Sequence, residues 1–298
     1  MKVHTSYIIH HTSYILSRQS PNSHAHATKS ICCLIMISTV QLHRRLGRIF
    51  YIWKRRAIWF LGKTKFAQQR EVTLQVPVFQ HKTPLIRQLK DVEMYLQYNK
   101  VTNLQLAAAR INGLVLLPGE TFSFWKIVGS PSARKGYLEG LVLERGKVTK
   151  GIGGGLCQMG NLLYWTALHS PLTVTERWRH SYDVFPDEAR TLPFGTGATL
   201  AYNYIDLQFR NDTSQPFQFL VWLSETHLCG EIRADSQLSE RYEILEKEHL
   251  IRQESHGGYS RHNRIARRVF SVASEALLRE ELVAENHALM MYQPFLKA

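Results

Sequence analysis

The chain has 298 residues, of which 44% are hydrophobic and 20% are charged, and its formal net charge is +13 at pH 7. This composition excludes a mostly disordered chain, and the length allows one large domain or two smaller ones. The basic residues are unevenly spread, because residues 1–70 hold 12 of the 37 Lys and Arg residues and no Asp or Glu, which leaves 25 basic and 24 acidic residues elsewhere. A folded domain that binds nucleic acid would carry its own basic excess, so we expect no nucleic-acid partner.

The basic N-terminal tail, residues 1–70, has two parts. Residues 1–35 are rich in His, Ser and Thr and repeat the sequence HTSYI, which is typical of low-complexity sequence. We interpret them as disordered or as untranslated, with Met36 as an alternative start. Residues 44–65, RRLGRIFYIWKRRAIWFLGKTK, mix aromatic and basic side chains. This mixture fits a segment on an anionic membrane surface, and it equally fits a basic helix packed on the domain.

The tail does not predict a helix that crosses a membrane. Its apolar run is interrupted by Lys54, Arg55 and Arg56, well short of the roughly 20 residues that a bilayer requires. The apolar run at residues 31–40 is not followed by an A-x-A-like cleavage site, so it does not predict a signal peptide. We therefore expect a protein that is cytoplasmic or peripheral at the cytoplasmic membrane.

From about residue 72 the apolar pattern predicts an α+β domain with a mixed or antiparallel sheet. Helical spacing is found in two segments, TNLQLAAARING (102–113) and CQMGNLLYWTALH (157–169). Strand composition is found in LVLERGKV (141–148), LTVTERW (172–178), LAYNYIDLQF (200–209), FQFLVWL (217–223) and HLCGEIR (227–233). We predict that residues 71–235 form the domain and that residues 236–298 are an extension packed on it. Within this extension, residues 264–286 fit either a strand and a helix or a long hairpin.

The segment GIGGGLCQ (151–158) places Cys157 at the first turn of a predicted helix, directly after Gly153, Gly154 and Gly155. The positive end of a helix dipole favours a thiolate at that position. Glycine N–H groups that converge without Cβ atoms can also hold an oxyanion. The same residues fit a buried structural cysteine beside a tight turn, and this alternative stays open. The four cysteines show no CxxC or Cys/His ligand spacing, so we expect no disulfide framework, no metal and no cofactor.

A cysteine nucleophile requires a base, and the candidates downstream of Cys157 are His169 and His180. His169 would end the helix that Cys157 begins, which places the two residues about 18 Å apart at 1.5 Å per residue. We therefore predict His180, in the segment ERWRHSYD, as the base. From these residues alone, one cysteine and one histidine are a weak signal for catalysis.

Several segments together resemble the VanW family in its short, single-domain form: AARINGLVLLPGETFSFW, GGGLCQMGNLLYWTALHSPLTVTERWRHS and DLQFRNDT. The resemblance covers about residues 100–235. The family is named after an accessory gene of vancomycin-resistance clusters. The resemblance implies action on peptidoglycan or its precursor peptides by cysteine-dependent acyl transfer of the L,D-transpeptidase type. The alternative is a non-catalytic protein that binds peptidoglycan precursors.

The resemblance also implies roles for individual residues. Cys157 would be the nucleophile and His180 the base. The loop that binds an oxyanion or the substrate would consist of Gly153, Gly154, Gly155 and Gln158. Four further residues would orient the histidine or bind substrate: Glu176, Arg177, Asp206 and Asn211.

These last four residues also fit purely structural roles. Glu176 and Arg177 fit an exposed ion pair at a strand end, and Asp206 and Asn211 fit a strand cap. One position departs from the family pattern, because Gly197 stands where the family has an acidic residue. If that acid orients the histidine or the substrate, we expect either a weak or inactive protein or a site in which Asp183 or Asp206 substitutes for it.

Overall fold

The computed structural model describes residues 42–43, 45–87, 93–144, 146–184, 191–255 and 257–294. The predictions for residues 1–35 and for Met36 lie outside these ranges. The chain divides into two compact units, Met1–Phe50 and Tyr51–Ala298. In the first unit, residues 45–50 are helical.

The second unit contains α-helices and β-strands in irregular order. The α-helices are α1 (51–61), α2 (Met94–Ile111), α3 (Phe124–Val128) and α4 (Cys157–Leu168). The strands are β1 (Val76–Pro84), β2 (Leu114–Leu116), β3 (Thr121–Ser123), β4 (Glu139–Glu144), β5 (Lys147–Ile152), β6 (Thr173–Glu176), β7 (Tyr182–Asp183), β8 (Gln208–Arg210), β9 (Phe217–Leu223), β10 (His227–Ala234), β11 (Glu240–Gln253), β12 (Tyr259–Ser271) and β13 (Leu277–Met290).

The strands form four small sheets, with the orders β1-β10-β9-β2, β11-β12-β13-β7, β3-β8-β6 and β4-β5. Pairing is antiparallel except between β13 and β7, which run parallel, with Leu289 opposite Tyr182. This arrangement of helices with antiparallel and mixed sheets confirms the α+β class. It also shows that residues 264–286 belong to a long hairpin, because β12 and β13 pair along their length.

The core lies between the two long helices and the first sheet. The buried face of α2 includes Leu104, Ala107 and Ile111, at the helical spacing seen in the sequence. Helix α4 packs so closely on β10 that a Cβ atom at Gly230 would lie 2.8 Å from a methyl group of Leu162. This packing fixes α4, and therefore its first residue Cys157, relative to the sheet.

The segment LAYNYIDLQF is mostly a loop, although the sequence predicted a strand. Only its C-terminal end joins β8. Ala201 and Ile205 exchange two backbone hydrogen bonds of 3.0 Å, which close a short loop between them. The indole N–H of Trp125 donates to the Ile205 carbonyl. These bonds use backbone groups that a continuous strand would offer to a neighbouring strand.

The basic aromatic segment contributes to the folded domain. The Trp59 side chain of α1 packs against the core. After the helix, Ala67 donates a backbone hydrogen bond to Thr121, and Gln69 accepts one from Val115. The compact unit therefore starts N-terminal to the predicted domain start at residue 71. Among the described residues, no helix combines the length and the apolar character that crossing a membrane requires.

Candidate functional site

The glycine run forms a tight turn between β5 and α4, and its glycines are required by the backbone. Gly153 and Gly155 have φ angles of +78° and +92°, which L side chains rarely adopt. Gly154 lies directly against Gly140 of β4, and a Cβ atom on Gly154 would be 2.1 Å from the Gly140 carbonyl carbon. Turn geometry and close backbone approach therefore explain the three glycines without a ligand.

The N–H groups of this glycine run are already hydrogen-bonded. Each donates a 3.0 Å bond to a backbone carbonyl, and the acceptors are those of Leu138, Gly151 and Leu141. In this conformation, Gly153–Gly155 do not have the free donors that an oxyanion loop needs. Among the described residues, the N–H groups of Leu156 and Cys157 have no backbone or side-chain acceptor beyond the Cys157 sulfur itself. These two groups are therefore candidates for holding an oxyanion by the main chain.

Two polar side chains of α2 support the turn, and sequence reasoning missed both. The Asn103 amide donates to the carbonyls of Leu138 (3.0 Å) and Gly154 (2.9 Å). The buried stem of Lys100 packs against Gly155, and its ammonium donates to Gln97 at 2.8 Å. Burial lowers the pKa of Lys100 to about 8. The sequence signal was a set of polar residues on the otherwise apolar face of α2.

Cys157 is the first residue of α4, as predicted, and it is half-buried. Its Sγ lies 3.9 Å from the Leu200 carbonyl oxygen. Burial raises the pKa of the Cys157 thiol above its ordinary value. This direction is opposite to the one expected from the helix dipole, because desolvation disfavours the thiolate. The thiol form therefore dominates at neutral pH in the free protein.

His180 is half-buried, and among the described residues its ring makes no hydrogen bond. Burial, followed by the nearby Arg179 charge, lowers the pKa of His180. Its imidazole is therefore mostly neutral at pH 7 and able to accept a proton. Cys157 and His180 are not hydrogen-bonded to each other.

The loop of residues 195–203 contacts Cys157 and also Trp178, which precedes His180 by two residues. The Leu200 carbonyl contacts the Cys157 sulfur, and the Thr199 N–H donates to the carbonyl of Trp178 at 2.8 Å. Two side chains of this loop have buried polar atoms without partners among the described residues, namely the Thr199 hydroxyl and both amide atoms of Asn203. Buried polar groups normally find partners, so these atoms mark the loop as unusual.

His169, the histidine excluded by the helix-length argument, ends α4 as predicted. Its Nδ1 is 2.9 Å from the Trp165 carbonyl oxygen, and its ring stacks on Phe79 with centroids 3.8 Å apart. Burial lowers the pKa of His169 as well. These contacts hold the imidazole at the end of the helix opposite Cys157.

Arg177 holds the loop in place. Its guanidinium donates to the Gly197 carbonyl at 2.9 Å and 2.7 Å and also to the Gly195 carbonyl. It lies over the Tyr164 ring of α4, 4.8 Å from the ring centroid. The side chain therefore joins the loop to α4, and it is neither paired with Glu176 nor directed to His180 by a hydrogen bond.

Gly197 packs against α4 one turn after Cys157. A Cβ atom on Gly197 would be 2.8 Å from the Asn161 amide oxygen, which accepts a 2.7 Å hydrogen bond from Ala198. Residue 197, where the family has an acidic residue, therefore faces α4. Neither predicted substitute is free, because Asp183 forms a 3.2 Å ion pair with Arg261 and Asp206 is hydrogen-bonded elsewhere.

Glu176, at the end of β6, and Asp206, just before β8, belong to one buried polar network. Both Glu176 oxygens accept hydrogen bonds of 2.6 Å from Arg55 of α1. Asp206 accepts from the Ser123 hydroxyl at 2.6 Å and from the Trp125 N–H at 3.0 Å. Burial raises the pKa of Asp206 to about 6 despite these bonds. The partner of Glu176 is thus Arg55, a residue of the basic tail, and both side chains are half-buried.

Gln158 and Asn211 also have structural partners. The Gln158 amide donates to the Thr83 hydroxyl at 2.9 Å and to the Pro84 carbonyl at 2.8 Å, which ties α4 to β1. The Asn211 side chain donates to the Leu116 carbonyl at 2.9 Å and closes a turn after β8. Of the predicted site residues, Cys157 and His180 are the two whose side chains have no strong competing polar contact.

The described residues contain no group of three or more His, Cys, Asp or Glu side chains arranged to hold a metal ion. Cys157 and Cys229 are both free thiols.

Comparisons with known proteins identify the family. The family model described as VanW like protein matches residues 99–233. The vancomycin B-type resistance protein VanW of Enterococcus faecalis (strain ATCC 700802 / V583) is 36% identical over 222 residues, which are 74% of this chain and 80% of that protein. The uncharacterized protein YoaR of Bacillus subtilis (strain 168) is 32% identical over 114 residues, which are 38% of this chain and 36% of that protein. No solved structure shows a significant match. The chain belongs to the VanW family.

Proposed function

We propose that this VanW-family protein is a cysteine acyltransferase of the L,D-transpeptidase type, acting on stem peptides of peptidoglycan or of its precursors. One observation carries the proposal. Cys157 begins a buried helix where the N–H groups of Leu156 and Cys157 have no acceptor on a neighbouring residue. A neutral, unbonded His180 lies two residues after Trp178, whose carbonyl accepts from the loop that contacts Cys157. A nucleophile, a base and oxyanion donors are the three components that acyl transfer requires.

The proposed reaction has two half-reactions. In the first, the Cys157 proton passes to His180 while the sulfur attacks the carbonyl carbon of a stem-peptide amide. The N–H groups of Leu156 and Cys157 stabilise the oxyanion. The C–N bond then breaks, the amine leaves with the proton from His180, and a thioester remains on Cys157. In the second, an amine of another stem peptide attacks the thioester, its proton passes through His180, and the thiol is restored.

The electrostatics of the free protein agree with a general-base mechanism. The thiol of Cys157 keeps its proton at neutral pH, because burial raises its pKa. A pre-formed thiolate is therefore not the nucleophile. His180 has a lowered pKa and is neutral, so it can take the proton once substrate brings the two groups together. Hydrogen bonds of catalytic groups often tighten only in the complex with substrate.

The direct test is intact-protein mass spectrometry of the full chain after incubation with purified muropeptides. The full chain is required because α1 packs on the domain. We expect an acyl adduct that maps to Cys157, and we expect the Cys229→Ser variant to form it as well. The Cys157→Ser variant should form no thioester. Absence of the adduct in the wild-type protein, or its presence at Cys229, would contradict acyl transfer at Cys157.

Gly197 favours a second candidate, a non-catalytic protein that binds peptidoglycan precursors. An acidic side chain at this position would face α4, and here it is missing. If the protein only binds, the wild type and the Cys157→Ser variant should bind muropeptides with equal affinity, and neither should release product. Isothermal titration calorimetry together with a chromatographic product assay separates the two candidates.

We further propose that the cellular role is related to that of its relative, whose name links it to vancomycin resistance. Binding or modifying stem peptides would act on the material from which the cell wall is built. The expected result is a lower minimal inhibitory concentration of vancomycin when the protein is deleted, and restoration by the wild-type gene. The Cys157→Ser gene should fail to restore it if the role is catalytic.

A further inference from the structure

Helix α1 exposes an unusual amount of apolar surface. Phe60 is 89% exposed, Leu61 77% and Trp53 63%. Tyr51 and Ile58 are exposed as well, so five of the eleven residues of α1 are large exposed hydrophobic side chains. Exposed apolar residues scattered singly are ordinary, whereas a contiguous group marks an interaction site.

The three most exposed of these side chains lie on one side of the helix. At 100° per residue, Ile52, Arg55 and Trp59 share one face, and this face is directed to the domain. The opposite face carries Trp53 and the pair Phe60 and Leu61. The helix is therefore held on the domain by one face while the other presents its aromatic and aliphatic groups outward.

The surroundings of this outer face are basic. Residues 51–65 contain Lys54, Arg55, Arg56, Lys63 and Lys65 and no acidic residue. Arg55 forms an ion pair with Glu176 on the inner face of the helix. Lys54, Lys63 and Lys65 are exposed. Arg56 lies over the Trp53 ring, 5.7 Å from its centroid. The outer face thus combines interfacial aromatic groups with uncompensated positive charge.

We propose that the outer face of α1 docks the protein on an anionic lipid surface. Aromatic and aliphatic side chains enter the boundary between headgroups and acyl chains, and Lys and Arg meet the anionic headgroups. The same charges argue against a second copy of the chain as the occupant, because two identical acid-free faces would repel each other. The proposal is independent of the chemistry at Cys157.

This docking has a consequence for the candidate site. Arg55 lies on the inner face of the same helix and holds Glu176, which directly precedes the Arg177 that binds the 195–203 loop. A helix anchored on lipid would therefore place the loop beside Cys157 near the membrane surface, where lipid-linked peptides are found.

The test is sedimentation of the full-length protein with vesicles, using phosphatidylcholine alone or mixed with phosphatidylglycerol. We expect binding to the anionic vesicles that weakens as salt is raised from 50 to 500 mM. The double variant Phe60→Ser/Leu61→Ser should reduce the vesicle partition coefficient at least about tenfold, because two apolar side chains no longer enter the interface. The control is Leu277→Ser/Leu278→Ser, which changes another adjacent pair of exposed apolar side chains, on β13.

Three results would overturn the proposal. The first is equal binding to neutral and anionic vesicles, and the second is equal loss of binding in the two double variants. The third is a concentration-dependent dimer, seen by analytical ultracentrifugation without lipid, that Phe60→Ser/Leu61→Ser dissociates. Thermal melts of both variants separate a loss of docking from a loss of folding.

Discussion

Arg55 and Glu176 form a bidentate ion pair, in which Nη1–Oε2 and Nη2–Oε1 are both 2.6 Å. Their side chains are only 14% and 19% exposed. The pair joins the basic N-terminal segment to the strand that leads to His180. It therefore makes α1 a part of the domain that carries the candidate site.

A double-mutant cycle on this pair should show strong coupling. Glu176→Gln leaves the Arg55 charge half-buried without its carboxylate, so we expect a loss of about 3 kcal/mol in the free energy of unfolding. Arg55→Met should cost a similar amount. The double variant should lose less than the sum, by at least about 1 kcal/mol, in urea unfolding followed by circular dichroism. Additive losses would show that α1 is not held by this pair.

The contact between Gly154 and Gly140 predicts a steric effect that does not depend on backbone conformation. Gly154→Ala would place a Cβ atom 2.1 Å from the Gly140 carbonyl carbon, and we expect a loss of about 3 kcal/mol or a failure to fold. The matched control is Gly119→Ala, where φ is +80° and no atom lies within 4 Å of the new Cβ. That variant should lose only about 1 kcal/mol, from backbone strain. Equal losses would mean that the turn can open.

The sequence predicted those features that depend on neighbouring residues. The start of α4 at Cys157, the α2 pattern and the β9–β10 hairpin follow from local periodicity and turn residues, and the structure has all three. Two of the three glycine N–H groups donate to carbonyls of another segment, those of Leu138 and Leu141, and periodicity contains no information about such partners. The partner of Glu176 lies 121 residues away in sequence. The direction of the Cys157 pKa shift depended on burial, which only the packed structure shows.

The raised pKa of Cys157 predicts slow reaction with thiol reagents at neutral pH. The thiolate fraction at a given pH falls as the pKa rises, so alkylation by iodoacetamide should reach half its maximal rate above pH 9.0, the ordinary value for this thiol. The measurement is a pH series of alkylation rates with peptide mapping, which separates Cys157 from Cys229. The urea-unfolded chain provides the control, and its Cys157 should react at lower pH. A folded-state midpoint below pH 8 would contradict the burial argument.

The contrast between His180 and His169 tests the assignment of the base. Both imidazoles have pKa values lowered by burial, but His169 is held at the far end of α4 by Phe79 and Trp165. His180→Gln should slow formation of the Cys157 acyl adduct by about 100-fold or more, whereas His169→Gln should change the rate by less than about threefold in a folded variant. Because His180 must be neutral to accept a proton and its pKa is lowered, the wild-type rate should remain above half its plateau at pH 6.5 and decline only at more acidic pH. Adduct formation measured by mass spectrometry in both variants decides the question, since an unimpaired His180→Gln protein would exclude this histidine as the base.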